Sequence, residues 1–338
     1  MELFIFLLLI IKEIIFSILN LPWYKTEIPI SNVATMKKPF APVRWGVGPY
    51  IQTLLNITLD MFEKRSYQRE YHQLTDGTTI ALDCKSTENM SDTTPILFVC
   101  HGLGGSSNNP FIHALTDKLA QYRTIVYNRR GHGGMDNKGK LPRHVDIADM
   151  KEVVTAVRNK YPKAPLLGIG ISAGANLLVC YAGQEKNHPF RLLVSISNGH
   201  NLLGVANNMS WVFNRILTNY LKRLIKPRHK LQNINELKDF DTHVTVPWYN
   251  YNSVEEYYDK CSSYKWFDSI TVPLLSISAL DDPLISDDLQ YYPIEAAMKN
   301  PNITAVLTRK GGHVGWVDRI GHSWCIDRVE EFIKNKGF

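Results

Sequence analysis

Three side chains in this sequence could together carry out nucleophilic chemistry: Ser172, a carboxylate of the Asp281-Asp282 pair, and His313. Ser172 lies in Gly170-Ile171-Ser172-Ala173-Gly174, preceded by the apolar residues Leu166, Leu167 and Ile169 and followed by the apolar stretch 176–180. The pattern predicts a strand, a sharp turn and a buried helix. A residue at the tip of such a turn adopts positive φ, and its neighbours two positions away must be small. Gly170 and Gly174 meet that demand, and the turn aims a helix N-terminus at the place where negative charge would develop. A serine hydroxyl is inert near neutral pH and needs a base in contact. His313, between Gly311-Gly312 and Gly315, is of the right type to take its proton and return it. A carboxylate must then hold the imidazole in one tautomer and stabilise its charged form. Asp282, stiffened by Pro283, is the expected partner, with Asp281 as the alternative.

A tetrahedral oxyanion would need two preorganised N–H donors, and the expected pair is the backbone of Leu103 and Ala173. His101 is expected to organise its loop rather than act as a base. His144 and Asp149 form an H-x-x-x-x-D pattern that some lipid acyltransferases carry, but a helix start with an acid in its first turn explains it more simply.

Elements to position these residues are legible on both sides of them. Residues 95–100, 124–127, 191–196, 273–278 and 303–307 are short apolar runs, the mark of strands buried on both faces. Helical spacing at 111–122, 146–161 and 324–334 alternates with them, which implies a mostly parallel sheet carrying active residues at its carboxyl edge. Residues 67–84 read as a hairpin around Asp76-Gly77. Residues 201–263 break the alternation and read as an inserted helical cap, apolar on one face and basic on the other.

The N-terminus reads differently. Residues 3–21 hold fifteen strongly apolar positions interrupted by Lys12-Glu13. At roughly 0.3–0.6 kcal/mol gained per apolar residue and about 2.5–3.5 lost per central charge, insertion across a bilayer sums close to zero. Residues 1–24 are therefore expected to be a membrane anchor, single-pass or interfacial, with Trp23 and Tyr24 as an interface belt. Residues 25–66, rich in proline up to Pro49, are expected to run as an extended arm, and 67–338 to form the domain. Lys25, Lys37, Lys38 and Arg44 follow the anchor, so the positive-inside rule places the domain in the cytosol.

The totals restrict the function classes. An apolar fraction of 44% in 338 residues supports a large core. The net charge of +6 comes without an arginine-rich helix or aromatic–basic pattern, so no nucleic acid is expected. The five cysteines are widely spaced with no Cys-x-x-Cys, which suggests neither zinc nor a disulfide framework. No metal, organic cofactor or obligate protein partner is implied.

The combination resembles the α/β-hydrolase superfamily and, within it, the AB hydrolase 4 family of abhydrolase domain-containing proteins 1, 2 and 3 and YheT-like esterases. The matching segments are HGLGG from His101, NRRGHGG from Asn128, GISAGANLL from Gly170, DFDTHVT from Asp239, SVEEYYDKCSS from Ser253, ALDDP from Ala279 and GGHVGW from Gly311. They span most of residues 71–332. Ala173-Gly174-Ala175 stands where the family usually reads Met-Gly-Gly. The resemblance implies an α/β-hydrolase fold and a carboxylic ester hydrolase, a phospholipase or monoacylglycerol lipase acting on lipid esters at a membrane, the endoplasmic reticulum being one such membrane. It also implies, for single-pass members, an orientation opposite to the charge argument. A lipid acyltransferase and a non-catalytic binding protein on the same fold are the alternatives.

Overall fold

The computed structural model describes residues 7–8, 10–15, 28–43, 46, 48–58, 67–86, 90–136, 141–225 and 234–338. Its apolar runs become the strands of one nine-stranded sheet: β1 (Ile30–Ser31), β2 (Gln68–Gln73), β3 (Thr79–Lys85), β4 (Ile96–Cys100), β5 (Arg123–Asn128), β6 (Leu166–Ile171), β7 (Phe190–Ile196), β8 (Leu274–Ala279) and β9 (Ile303–Thr308). The spatial order is β1-β9-β8-β7-β6-β4-β5-β3-β2. Strands β5, β4, β6, β7, β8 and β9 run parallel, while β2, β3 and β1 pair antiparallel at the two edges. The fold is that of an α/β-hydrolase.

Helices fill the connections: α1 (Pro49–Thr58), α2 (Pro110–Lys118), α3 (Ile147–Lys160), α4 (Ala173–Gln184), α5 (Leu202–Asn208), α6 (Trp211–Arg223), α7 (Val254–Cys261), α8 (Tyr292–Lys299) and α9 (Trp324–Asn335). Because successive strand residues face opposite ways, each central strand feeds two cores. Ile96, Phe98 and Cys100 of β4 pack with Val153 of α3 and Leu178 of α4, whereas Leu97 and Val99 pack with Ile112 of α2 and Val329 of α9. This double covering is why the strands read as unbroken apolar runs.

The hairpin forms at Asp76-Gly77, where the Leu74 N–H bonds to the Thr78 carbonyl and Gly77 takes a φ of 82°. Between β7 and β8 lie α5, α6, a helical turn Leu237–Phe240 that continues through 248, and α7. The start of the segment read as a helical cap is two helices, broken at Met209-Ser210, and residues 226–233 lie outside the described chain.

The arm departs from its sequence reading. Residues 49–58 are helical, not extended, and Ile30-Ser31 adds an edge strand to β9. Helix α1 starts with Pro49 in its first turn, and its N-terminus is closed by Glu13, whose carboxylate accepts from the Tyr50 and Ile51 N–H groups at 3.3 and 3.0 Å. Burial pushes the Glu13 carboxyl above its usual range, opposed by those two backbone donors. Of the expected anchor 1–24, residues 7–8 and 10–15 are described and helical; the remainder, with the Trp23-Tyr24 belt, lies outside the described residues. Ile10 and Ile14 pack on Val43, Ile51, Leu55 and Val317, while Leu7, Leu8, Ile11 and Ile15 face outward, each about half exposed. Among the described residues, no helix is long and apolar enough to cross a membrane.

Candidate active site

The carboxyl ends of β6, β8 and β9 bring Ser172, Asp282 and His313 together. Ser172 caps α4 at φ 54°, ψ −121°, the left-handed strain that the flanking glycines predict. Gly174 is obligatory in this turn, because a Cβ there would collide with the Cys100 and His101 carbonyls. The Ser172 N–H is anchored to the Ile196 carbonyl of β7 at 2.8 Å. The result is a serine lifted off the strand, its hydroxyl 2.8 Å from His313 Nε2.

His313 Nδ1 lies 2.7 Å from Asp282 Oδ2, and the Asp282 side chain is wholly buried. The other Asp282 oxygen accepts from the Leu284 and Ile285 N–H groups at 2.8 and 3.2 Å. Both carboxylate oxygens are thus committed, so the group has one orientation toward the imidazole. With Oδ2 accepting, Nδ1 carries the ring proton and Nε2 presents a lone pair to Ser172.

Asp281 does a different job from its neighbour. Its Oδ1 accepts from the Gly312 N–H at 2.9 Å, and Lys310 stands 3.7 Å from Oδ2. The His313 loop has two further fixings. The His313 N–H donates to Thr53 Oγ1 of α1 at 2.9 Å, and the Val314 N–H donates to Ser197 Oγ at 3.0 Å. Gly312 sits at φ 59°, and a Cβ there would meet the Pro49 carbonyl at 2.6 Å, so α1 backs the loop directly.

Leu103 and Ala173 line the same cavity as Ser172 and His313. Ala173 opens α4, whose leading N–H groups have no intrahelical acceptor. His101 holds the Leu103 turn: its Nδ1 bonds to the Gly102 carbonyl at 2.7 Å, and its Nε2 accepts from the Arg129 N–H at 3.1 Å. Burial, and next the neighbouring His132, push its pKa well down, so the ring is neutral and structural. Gly102 packs against the Ser172 side chain, where a Cβ would come within 3.1 Å of Ser172 Cβ.

The cavity holds about 80 Å3 and has an apolar lining that includes Leu202, Val205, Leu217, Leu221, Leu284 and Ile285. Arg129, His132, His144 and Asp241 add polar walls. Arg129 and His132 carry no role in the sequence reading, although they lie in NRRGHGG at the carboxyl end of β5, where a parallel sheet places its ligand contacts. The H-x-x-x-x-D pattern is not assembled into a reactive pair. Asp149 gives both oxygens to Arg130 at 2.9 and 2.7 Å, and burial pushes the His144 imidazole down to about 3. Asp149 lies in the first turn of α3, as the helix-start explanation requires. Among the described residues no group of acids, histidines and cysteines could hold a metal ion, and all five cysteines are buried thiols.

A family model described as the alpha/beta hydrolase fold matches residues 95–219. The chain is 30% identical over 325 residues to mouse phospholipase ABHD3, covering 87% of this chain and 78% of that one. It is 28% identical over 294 residues to a monoacylglycerol lipase of Saccharomyces cerevisiae, covering 73% of this chain and 60% of that one. Among solved structures, the Pyrococcus furiosus esterase Pf2001 superposes with a TM-score of 0.56 at 18% identity, over 80% of this chain and 92% of that one.

Proposed function

We propose, since this chain belongs to the α/β-hydrolase family of the abhydrolase domain-containing proteins, that it is a carboxylic ester hydrolase acting on lipid acyl esters, of the phospholipase or monoacylglycerol lipase type, through a Ser172 acyl-enzyme. The observation that carries this reading is the pair of contacts from Ser172 Oγ to His313 Nε2 and from His313 Nδ1 to Asp282 Oδ2, at 2.8 and 2.7 Å.

In the proposed reaction His313 takes the hydroxyl proton as Ser172 attacks the ester carbonyl, and Asp282 stabilises the imidazolium that forms. The developing oxyanion turns toward the Leu103 and Ala173 N–H groups at the start of α4, worth about 2.7–4 kcal/mol each in comparable sites. His313 then hands its proton to the leaving alcohol. A water, deprotonated by the same ring, releases the fatty acid. The α5–α7 segment acts as a cap whose apolar residues take the acyl chain. An acyltransferase reading has less support, because Asp149 is bound by Arg130.

For membrane association we propose an interfacial rather than a spanning helix. Ile10, Glu13 and Ile14 face the domain, leaving Leu7, Leu8, Ile11 and Ile15 for the acyl boundary of one leaflet.

The test is labelling by a fluorophosphonate probe alongside hydrolysis of a panel of lipid esters. Wild type is expected to be labelled and to turn over phospholipid or monoacylglycerol, and Ser172→Ala to do neither. Equal labelling of both proteins would sink the assignment of the nucleophile. A folded wild type that neither reacts nor hydrolyses any ester would overturn the hydrolase reading.

A further inference from the structure

Arg129 is one of the polar groups lining the cavity that the ester chemistry leaves unused. It is 4% exposed, so an arginine guanidinium, a cationic fork of N–H donors, is held inside the protein. One terminal nitrogen, Nη2, donates to the Arg143 and His144 carbonyls at 2.7 Å each, which fixes the plane of the group. The other, Nη1, is buried with no acceptor, and among the described residues no carboxylate pairs with the cation. A buried charge without a counter-ion is costly, and buried charges are as a rule paired.

Beside it His132, 2% exposed, shows the complementary defect. Its Nδ1 lies 2.9 Å from the Arg130 carbonyl, which places the proton there and leaves Nε2 as a bare acceptor, also buried and unpartnered. Burial, then the Arg129 charge, push its pKa down to about 4, so the ring stays neutral. Both residues line the cavity that holds Ser172. The chamber's other polar walls include His144 and the Asp241 carboxylate, which Thr245 and Tyr258 already bond. Arg129 and His132 bring to it an anion-seeking donor and a hydroxyl-seeking acceptor, each buried without a partner.

We infer that Arg129 binds the phosphate of a glycerophospholipid substrate through Nη1, with a glycerol hydroxyl donating to His132 Nε2, so that the enzyme favours a phosphate-bearing monoacyl lipid over the neutral monoacylglycerol. The inference rests on the ester-hydrolase reading above and narrows its substrate. Free phosphate shares the chemistry, but a cation facing the same chamber as the nucleophile fits an anion delivered with the scissile ester.

The experiment compares kcat/KM for a lysophosphatidylcholine and a monoacylglycerol of the same acyl chain. The ratio is taken within each preparation of the full chain, so the folded fraction cancels. Arg129→Met is expected to lower the phospholipid-to-glyceride ratio by about 10- to 100-fold, the range spanned by a charge-assisted bond to a desolvated anion. Arg129→Lys keeps the charge but not the fork and is expected to lower it by about threefold; this second variant reads the same ratio if the methionine protein is lost in folding. An unchanged ratio in either variant overturns the inference. So does a wild type that hydrolyses the glyceride alone, an outcome that leaves the ester-hydrolase reading standing. If neither lipid is hydrolysed and Ser172 is not labelled, it is that reading that fails. Inorganic phosphate that inhibits glyceride turnover in wild type but not in Arg129→Met, with no change in the lipid ratio, would assign the cation to free phosphate instead.

Discussion

Replacing Asp282 by asparagine separates the two adjacent carboxylates, and the structure dictates how. The Leu284 and Ile285 N–H groups both point at one side-chain oxygen of residue 282, at 2.8 and 3.2 Å. An asparagine must keep its carbonyl oxygen there, since turning its NH2 toward two donors leaves all three unsatisfied. The amide NH2 then faces His313 Nδ1, which lies 2.7 Å from the present Oδ2. Nδ1 becomes an acceptor, the proton moves to Nε2, and the ring meets the Ser172 hydroxyl with an N–H where a lone pair is needed. The same tautomer inversion in a serine protease costs about 10^4 in kcat, so Asp282→Asn is expected to lose about 10^3–10^4, or roughly 4–5.5 kcal/mol of barrier. In Asp281→Asn the retained oxygen still accepts from the Gly312 N–H. What disappears is a 3.7 Å, partly exposed ion pair with Lys310, worth about 0–1 kcal/mol. Its kcat is expected to fall no more than about fivefold. The assay is steady-state hydrolysis of a p-nitrophenyl ester, with active sites counted by fluorophosphonate titration. A Asp281→Asn protein that collapses while Asp282→Asn retains a tenth of wild-type kcat would refute the reasoning.

Three further outcomes are expected. Gly174→Ala has no room beside the Cys100 carbonyl, which is backbone and cannot yield; a loss of about 3 kcal/mol or more is expected, read as a lowered Tm or loss of soluble protein. Asp241 is buried and bonded to Thr245 and Tyr258, and burial raises its pKa from 3.8 to about 6. Its folded pKa exceeds the unfolded one, so its contribution is complete below about pH 4 and is lost as pH climbs through 6. Wild type should therefore lose up to about 3 kcal/mol relative to Asp241→Asn between pH 4 and 6.5, in urea melts across that range, and a constant difference would count against a buried ionisable carboxyl. Glu13→Ala removes the acceptor that closes α1 and is expected to cost about 1–2 kcal/mol, measured in the same way.

The parallel strands and the chain order of Ser172, Asp281-Asp282 and His313 were legible because each rests on a local pattern: an apolar run, a glycine-flanked turn, an acid or histidine just past a strand end. What stayed hidden is non-local. Residues 49–58 read as part of an extended arm because the acceptor that closes α1 comes from Glu13, 37 residues earlier, and no periodic signal announces that capping. The same distance explains Glu13 itself, which reads as a defect in an apolar segment and turns out to serve a helix end. The break between α5 and α6 has a similar origin, since the Ser210 N–H is held by the Pro283 carbonyl, which follows Asp282 far along the chain. Sequence left Asp281 and Asp282 as competitors, whereas in the fold each has its own partner in the histidine loop. Arg129 and His132 were visible as residue types in NRRGHGG. That each keeps a buried atom without a partner is a property of the packed interior, which spacing does not carry.

Helix α1 is also the foundation of the histidine loop. Thr53 Oγ1 accepts from the His313 N–H, Gln52 Oε1 accepts from the Val317 N–H at 2.9 Å, and the Pro49 carbonyl abuts Gly312. The apolar N-terminal segment expected to be an anchor supplies, through Glu13, the carboxylate that plugs the positive end of that foundation. A shortened protein is thus a uncapped one. Weak activity in it would report a histidine off its alignment as much as loss of the proposed membrane contact, and Glu13→Ala in the full-length chain would tell the two apart.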